Sequence, residues 1–214
     1  YRPLQGGMFN TICLPFTLDL TELPEGHPLY EAELKQYTGL NLNTVGGEKV
    51  LELVFTDVSD RVIIANKPYI IQPEENYNSI IRFAGPLQLT NTKGGTIEKA
   101  VDGYNITYQG IIPYQEITPI IQDGVSLTLM LVADNRLAEM TTKGYMYGFR
   151  GYFKLNQPLP KGMRTRITTS KGTTTNTTIV VDGKKVNVEK FLQEGRVYIR
   201  VGEDLYNIDG QKVE

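Results

Sequence analysis

Apolar and polar residues alternate with a period of two along much of this chain, which is the pattern of β-strands with one buried face. The clearest example covers residues 145–155. The predicted buried face of that strand consists of Tyr145, Tyr147, Phe149, Phe153 and Leu155. Residues 126–133 (SLTLMLVA) are more continuously apolar, as expected for a central strand of a sandwich.

Further strands are predicted where Val, Ile, Thr and Tyr cluster between turn residues. These strands cover residues 9–16, 50–56, 69–72, 79–83, 96–101 and 104–110. Asp102 and Gly103 separate the last two, and this pair favours the type I′ turn of a tight hairpin. The pattern predicts an all-β chain with antiparallel strands.

Helical patterns are few. Residues 29–37 (LYEAELKQY) predict one helix, with Leu29 and Leu34 on its inner face and Gly39 just past its end. Residues 188–193 (VEKFLQ) predict a second, shorter helix that stops before Gly195. Both are expected to be minor elements on a β framework.

The spacing of turn residues divides the chain into parts. An antiparallel β-sandwich-like domain is predicted over residues 1–160, ending in the break at 156–162 (NQPLPKG). Residues 161–177 are predicted to be one strand, with Arg164 and Arg166 on a solvated face, and a polar linker. Residues 178–214 are predicted to form a small β-hairpin module. Its similar strings VDGKKV and IDGQKV indicate either two like hairpins or a true repeat.

The charge balance and the longest apolar runs bear on nucleic-acid and membrane partners. The 214 residues include 22 Lys and Arg against 24 Asp and Glu, a net charge of -2, so electrostatics give no reason to expect nucleic-acid binding. No run approaches 18 apolar residues, and no membrane-spanning helix is predicted. The start of the chain lacks the pattern of a signal peptide, so the signal of an exported precursor is expected to lie outside this sequence.

Residues with catalytic chemistry are scarce: the chain has one His, one Cys and no Trp. His27 lies in a Pro- and Gly-rich turn and is expected to be an exposed loop residue. Cys13 has apolar neighbours and is expected to be buried and structural. No nucleophile-elbow, phosphate-loop or metal-ligand pattern occurs, so no catalytic residue, metal site or cofactor is predicted.

Carboxylates could in principle form the opposed pair of a glycosidase. The candidates are Asp57, Asp60, Glu74, Glu75, Asp134 and Glu139. Their spacing selects no pair.

Tyrosine is the abundant chemical class, with 13 residues. An aromatic ring with a polar edge suits contact with the face of a sugar, and ordinary sandwich packing is the alternative. The candidate ligand-binding tyrosines are Tyr104, Tyr108, Tyr114 and Tyr152, with Tyr145 and Tyr147 as further possibilities.

Several segments resemble β-rich domains of surface and secreted proteins of Bacteroides and Prevotella. Residues 9–16 (FNTICLPF) resemble "NTLCLPF", and residues 65–71 (ANKPYII) resemble "AGKPYII" with Asn66 in place of Gly. Phe83 begins a segment, FAGP, placed like an "F-x-G-V" strand. Residues 148–155 (GFRGYFKL) resemble "GFRAYFKL" with Gly151 in place of Ala.

The C-terminal residues 195–213 are similar to the "G-x-Y-I…YN-x-x-G-Q-x-V" ending of such proteins, and shorter than type IX sorting tails. The resemblance implies an exported protein, extracellular or in the cell envelope, and it implies no catalytic residues. A non-catalytic module for adhesion, assembly or glycan binding is therefore expected, with a glycan or another envelope protein as partner. A carbohydrate-active enzyme and a purely structural or sorting domain are the alternatives.

Overall fold

A computed structural model describes residues 3–83, 88–89, 93–170, 175–181, 184–193, 196–201, 204–207 and 211–213. The chain divides into two compact units, Tyr1–Thr169 and Ser170–Glu214. Both units are built from antiparallel strands, which confirms the predicted all-β class. Within the described residues, the only helical elements are two short 3-10 turns, Leu20–Glu22 and Ala133–Asn135.

The first unit contains sixteen described strands. They are β1 (Asn10–Ile12), β2 (Leu18–Asp19), β3 (Glu33–Val45), β4 (Glu48–Asp57), β5 (Val62–Ile63), β6 (Tyr69–Gln72), β7 (Thr96–Val101), β8 (Tyr104–Ile111), β9 (Gln115–Ile117), β10 (Ile121–Gln122), β11 (Val125–Ser126), β12 (Thr128–Val132), β13 (Arg136–Glu139), β14 (Gly144–Met146), β15 (Arg150–Leu155) and β16 (Arg164–Ser170).

Two five-stranded sheets form the sandwich. Their strand orders are β1-β6-β3-β4-β16 and β13-β12-β15-β8-β7, and the pairs β2-β5, β10-β11 and β9-β14 form smaller ribbons. The hairpin turns follow the chemistry of the sequence, since both turn residues have the positive φ that a type I′ turn requires. These φ values are 47° and 81° at Asp102 and Gly103, and 60° and 85° at Gly46 and Gly47.

The main core lies between the two large sheets. Tyr37 and Phe55 of the first sheet pack with Tyr108 and Phe153 of the second, and all four side chains are fully buried. The Tyr108 and Phe153 rings stack with centroids 4.4 Å apart. This shared aromatic cluster confirms the sandwich-like arrangement predicted from the sequence.

A second core covers the outer face of the first sheet. Strand β6 alternates, so that Ile70 faces the main core while Tyr69 and Ile71 join the second cluster. The N-terminal segment supplies much of this cluster, including Leu14 and Phe16. Burial on both faces explains why β6 reads as a continuous apolar run.

Both predicted helices are wrong. Most of residues 29–37 lies in β3, which pairs with β4 on one side and β6 on the other. Residues 188–193 lie in a strand of the second unit that also has neighbours on both sides. In each case the sequence holds good helix formers, but hydrogen bonds to two partner strands outweigh a weak local propensity.

The predicted strand 145–155 is interrupted. Residues 147–149 form no strand and connect β14, in the ribbon with β9, to β15, in the second large sheet, and Phe149 has a φ of 62°. Phe153 and Leu155 are buried as predicted, whereas Tyr145, Tyr147 and Phe149 are exposed, which corrects the prediction of one buried face. Residues 79–83 form no strand, and the strand predicted for 9–16 is limited to β1.

The second unit is a five-stranded antiparallel meander. Its strands are β17 (Thr175–Val181), β18 (Lys184–Gln193), β19 (Arg196–Val201), β20 (Asp204–Asn207) and β21 (Lys212–Val213). The pairs Val181–Lys184 and Val201–Asp204 close two of the predicted hairpins. The turn pairs Asp182-Gly183 and Asp209-Gly210 lie outside the described residues. The predicted linker extended to 177, but β17 starts at Thr175.

Candidate functional site

An apolar cavity of about 550 Å³ lies in the first unit, beside the second core. Five separate parts of the chain form its walls. Its described lining residues are Ile12, Leu14, Phe16, Leu29, Ile81, Phe83, Ile112, Pro113, Tyr114, Tyr147, Gly148 and Phe149. None of these carries a carboxylate, amine, imidazole or thiol, and the two phenols are the only ionisable groups among them. The volume and apolar lining are those of a small-molecule binding site.

Three exposed tyrosines stand at this cavity, and we call Tyr114, Tyr145 and Tyr147 the tyrosine platform. Tyr114 and Tyr147 line the cavity, and the Tyr145 ring lies parallel to that of Tyr114, with centroids 5.4 Å apart and a 4° interplanar angle. The Tyr147 ring is tilted, with its centroid 5.7 Å from that of Tyr114. Their relative exposures of 59%, 66% and 56% leave the rings open to a ligand.

Backbone contacts hold the loop that carries the platform. A Cβ atom on Gly148 would lie 2.3 Å from the Ile112 carbonyl oxygen, so only glycine permits this approach. Phe149 N–H donates to the same carbonyl at 3.3 Å, and the Phe149 carbonyl accepts from Cys13 N–H at 3.2 Å. Hydrogen bonds therefore join the segment between β14 and β15 to the segments at Cys13 and Ile112. These bonds hold this part of the cavity wall in place.

The His27 ring packs against Phe83, which lines the cavity, with the two ring centroids 5.6 Å apart. Its Nδ1 accepts the Leu29 N–H at 3.1 Å, and its Nε2 lies 3.2 Å from the Arg82 carbonyl oxygen, to which it donates as the neutral tautomer. Burial lowers the pKa of His27, against the opposing effect of the Arg82 carbonyl. The expected exposed loop residue is therefore a partly buried histidine that orders its own turn.

Cys13 is fully buried, as predicted. Its Sγ donates to the Asn66 carbonyl oxygen at 3.3 Å. A Cβ atom on Gly110 would lie 2.5 Å from this sulfur, so glycine in β8 makes room for the thiol. The cysteine joins β1 to the second sheet by packing and does not line the cavity.

The structure separates the four candidate tyrosines. Tyr114 lies at the cavity, whereas Tyr108 is fully buried and Tyr152 is 8% exposed, so these two rings belong to the interior. The Tyr108 hydroxyl donates to the Tyr69 carbonyl oxygen at 2.5 Å. Tyr104 is half-buried against the main core. The phenylalanines of the cavity were not predicted, since only the fold brings Phe16, Phe83 and Phe149 together.

The candidate carboxylates have ordinary structural partners where their contacts are described. Asp57 forms an ion pair with the buried Lys35 at 2.5 Å, and Asp60 accepts the Val62 N–H at 3.1 Å. Burial alone would lower the pKa of Lys35, but the hydrogen bonds of Asp57 and Glu33 outweigh it and raise that pKa. The Asp134 side chain lies outside the described part of the structure.

Two kinds of feature are absent from the described residues. These residues contain no cluster of three or more His, Cys, Asp or Glu side chains able to hold a metal ion. They also contain no helix long and apolar enough to cross a membrane. Comparison of the chain with protein-family models, curated proteins and solved structures finds no match. The class that the structure defines is an all-β protein, with a two-sheet sandwich and an antiparallel meander.

Proposed function

We propose that this chain is a non-catalytic binding module of a bacterial cell-surface or secreted protein, and that it captures a glycan at the tyrosine platform. The observation that carries this proposal is the exposed platform at the mouth of a cavity with an almost purely apolar lining. Such a lining offers contact area but lacks the acid and base that hydrolysis of a glycosidic bond requires.

The platform suits the chemistry of a sugar. One face of a pyranose ring carries C–H groups that pack on an aromatic face, and the phenolic hydroxyls can exchange hydrogen bonds with the ring substituents. Because Tyr114 and Tyr145 are stacked on each other, their rings are pre-ordered and lose little side-chain entropy when a ligand binds. The adjacent cavity admits an apolar substituent of the same ligand.

The proposed location and partners rest on the sequence resemblance. Segments 9–16, 65–71 and 148–155 resemble parts of exported β-rich domains, and the first and third of these also supply the cavity wall. An exported module with a rigid aromatic site would serve adhesion to a glycan or assembly with a glycan-bearing envelope partner.

A glycan array probed with the whole chain tests this function. Tyr114→Ala and Tyr147→Ala are expected to lower affinity for any bound glycan about tenfold each, since an aromatic anchor at the centre of a contact contributes more than 1 kcal/mol. Ile121→Ala is the control, because Ile121 is an exposed apolar residue, 51% accessible, that does not line the cavity.

Three outcomes would overturn the proposal. The first is an array without any bound glycan. The second is unchanged binding in both tyrosine variants, which would place the ligand elsewhere. The third is turnover of a glycoside by the whole chain, which would favour a carbohydrate-active enzyme.

A further inference from the structure

A second cavity, of about 700 Å³, opens between the two large sheets of the sandwich. Residues of β4 and β16 line it on the side of the first sheet, and residues of β12, β13 and β15 line it on the other. We call it the intersheet cleft. The buried side chains of Leu129, Leu155 and Met163 form its floor, and the half-buried Leu137 and Leu159 extend the apolar surface outward.

The rim of the intersheet cleft is basic. Its lining residues include the four cations Arg136, Lys161, Arg164 and Arg166 and the single carboxylate Glu139.

Two of these cations have acidic partners on β4. Arg164 pairs with Glu48, and Arg166 pairs with the buried Glu52. Within the described residues Lys161 forms no ion pair, and its side chain is exposed. Lys161 therefore places a positive charge at the rim, above the apolar floor, that no described carboxylate neutralises by direct contact.

We propose that the intersheet cleft binds a free single-chain anionic amphiphile, a fatty-acid-type carboxylate. The hydrocarbon chain lies on Leu137 and Leu159 and reaches the floor between the sheets, while the carboxylate faces Lys161 at the rim. Charge complementarity selects this occupant over a neutral one, because a carboxylate gains a charge-assisted contact at Lys161 without displacing Glu48 or Glu52. This site shares no lining residue with the cavity at the tyrosine platform, so the amphiphile and the glycan proposed above do not compete for the same residues.

Calorimetry with the whole chain and octanoate, decanoate and dodecanoate below their micelle concentrations tests the proposal. Affinity should rise about threefold to fourfold per added methylene, the equivalent of about 0.8 kcal/mol for each buried CH₂. Decanoate should bind more tightly than decanol at low salt, and 0.5 M NaCl should remove most of that difference by screening the exposed charge.

A matched pair of charge-neutralising variants locates the carboxylate. Lys161→Gln should weaken decanoate binding about threefold to fivefold at low salt and leave decanol binding unchanged. Lys143→Gln is the control, because Lys143 is also an exposed lysine but lines neither cavity. Methyl NMR signals of Leu137 and Leu159 should shift on addition of decanoate.

Several results would overturn the proposal. Absence of binding, equal affinity for decanoate and decanol, and equal effects of the two lysine variants would each do so. NMR shifts confined to residues that line the cavity at the tyrosine platform would place the amphiphile in that cavity instead. Sedimentation with phosphatidylglycerol vesicles, without binding of monomeric decanoate, would indicate a membrane surface as the partner.

Discussion

Two buried tyrosine hydroxyls in the same aromatic cluster have opposite surroundings. The Tyr37 hydroxyl is buried and has no hydrogen-bond partner within the described residues, and burial raises the pKa of Tyr37. The Tyr108 hydroxyl, in contrast, donates to the Tyr69 carbonyl oxygen at 2.5 Å. The two rings contact each other, with centroids 6.4 Å apart, and both contact Phe55. Substitution of each tyrosine by phenylalanine therefore changes one hydroxyl in a shared apolar environment.

The expected changes in the free energy of unfolding have opposite signs. Tyr108→Phe removes a buried hydrogen bond and leaves a carbonyl with one partner fewer, which should cost about 1–2 kcal/mol. Tyr37→Phe removes a polar group that gains nothing in the folded state, and it should stabilise the protein by up to about 1 kcal/mol. Both rings stay in place, so neither substitution creates a large cavity.

Urea denaturation of the two variants and the parent chain measures these changes. The midpoint should rise for Tyr37→Phe and fall for Tyr108→Phe, with the slope m unchanged. A Tyr37→Phe variant destabilised as much as Tyr108→Phe would refute the reasoning, because it would show that the Tyr37 hydroxyl makes a hydrogen bond of its own in solution.

Two further predictions concern a glycine and the single histidine. Gly151→Ala should destabilise the sandwich by more than about 2 kcal/mol in urea denaturation, because the new Cβ would lie 2.7 Å from the Tyr108 ring. Gly39→Ala, whose Cβ would lie 3.5 Å from Val54, is the control and should change stability little. His27 has a pKa lowered by burial, so the unfolded state binds its proton more readily, and the free energy of unfolding should fall as the pH drops through about 6.5. His27→Asn, which keeps a side-chain acceptor for the Leu29 N–H, should remove that dependence.

One outcome for each substitution would contradict the predictions for Gly151 and His27. Equal effects of alanine at Gly151 and Gly39 would mean that β8 and β15 can separate without cost. For the histidine, the same pH slope between pH 6 and 8 in the parent and in His27→Asn would assign the titration to another group. Since the chain has one His, no second imidazole contributes to the pH dependence of stability in this range.

The sequence alone was sufficient for the fold class and for many local elements. Period-two patterning predicted strands β7 and β8, and the turn pair between them predicted their hairpin. Such a hairpin is predictable because its geometry depends on residues that are neighbours along the chain. The apolar setting of Cys13 likewise predicted its burial. These features depend on local chemistry, which the order of residues expresses directly.

Tertiary structure decided the elements whose partners are distant in sequence. Segment 29–37 contains good helix formers but forms part of β3, because β4 and β6 supply hydrogen bonds on both of its sides. The exposure of Tyr145 and Tyr147 depends on the Phe149 turn, whose backbone is tied to Cys13 and Ile112.

The two cavities depend on tertiary structure in the same way. Tyrosine abundance indicated aromatic binding, but only the fold separated Tyr114 at the surface from Tyr108 in the core. The cavity at the tyrosine platform joins segments near residues 12–16, 81–83, 112–114 and 147–149, and the intersheet cleft joins strands of two sheets. Periodicity shows which residues share a face of a strand, whereas a cavity depends on which faces meet, and that is set by packing between segments far apart in the chain.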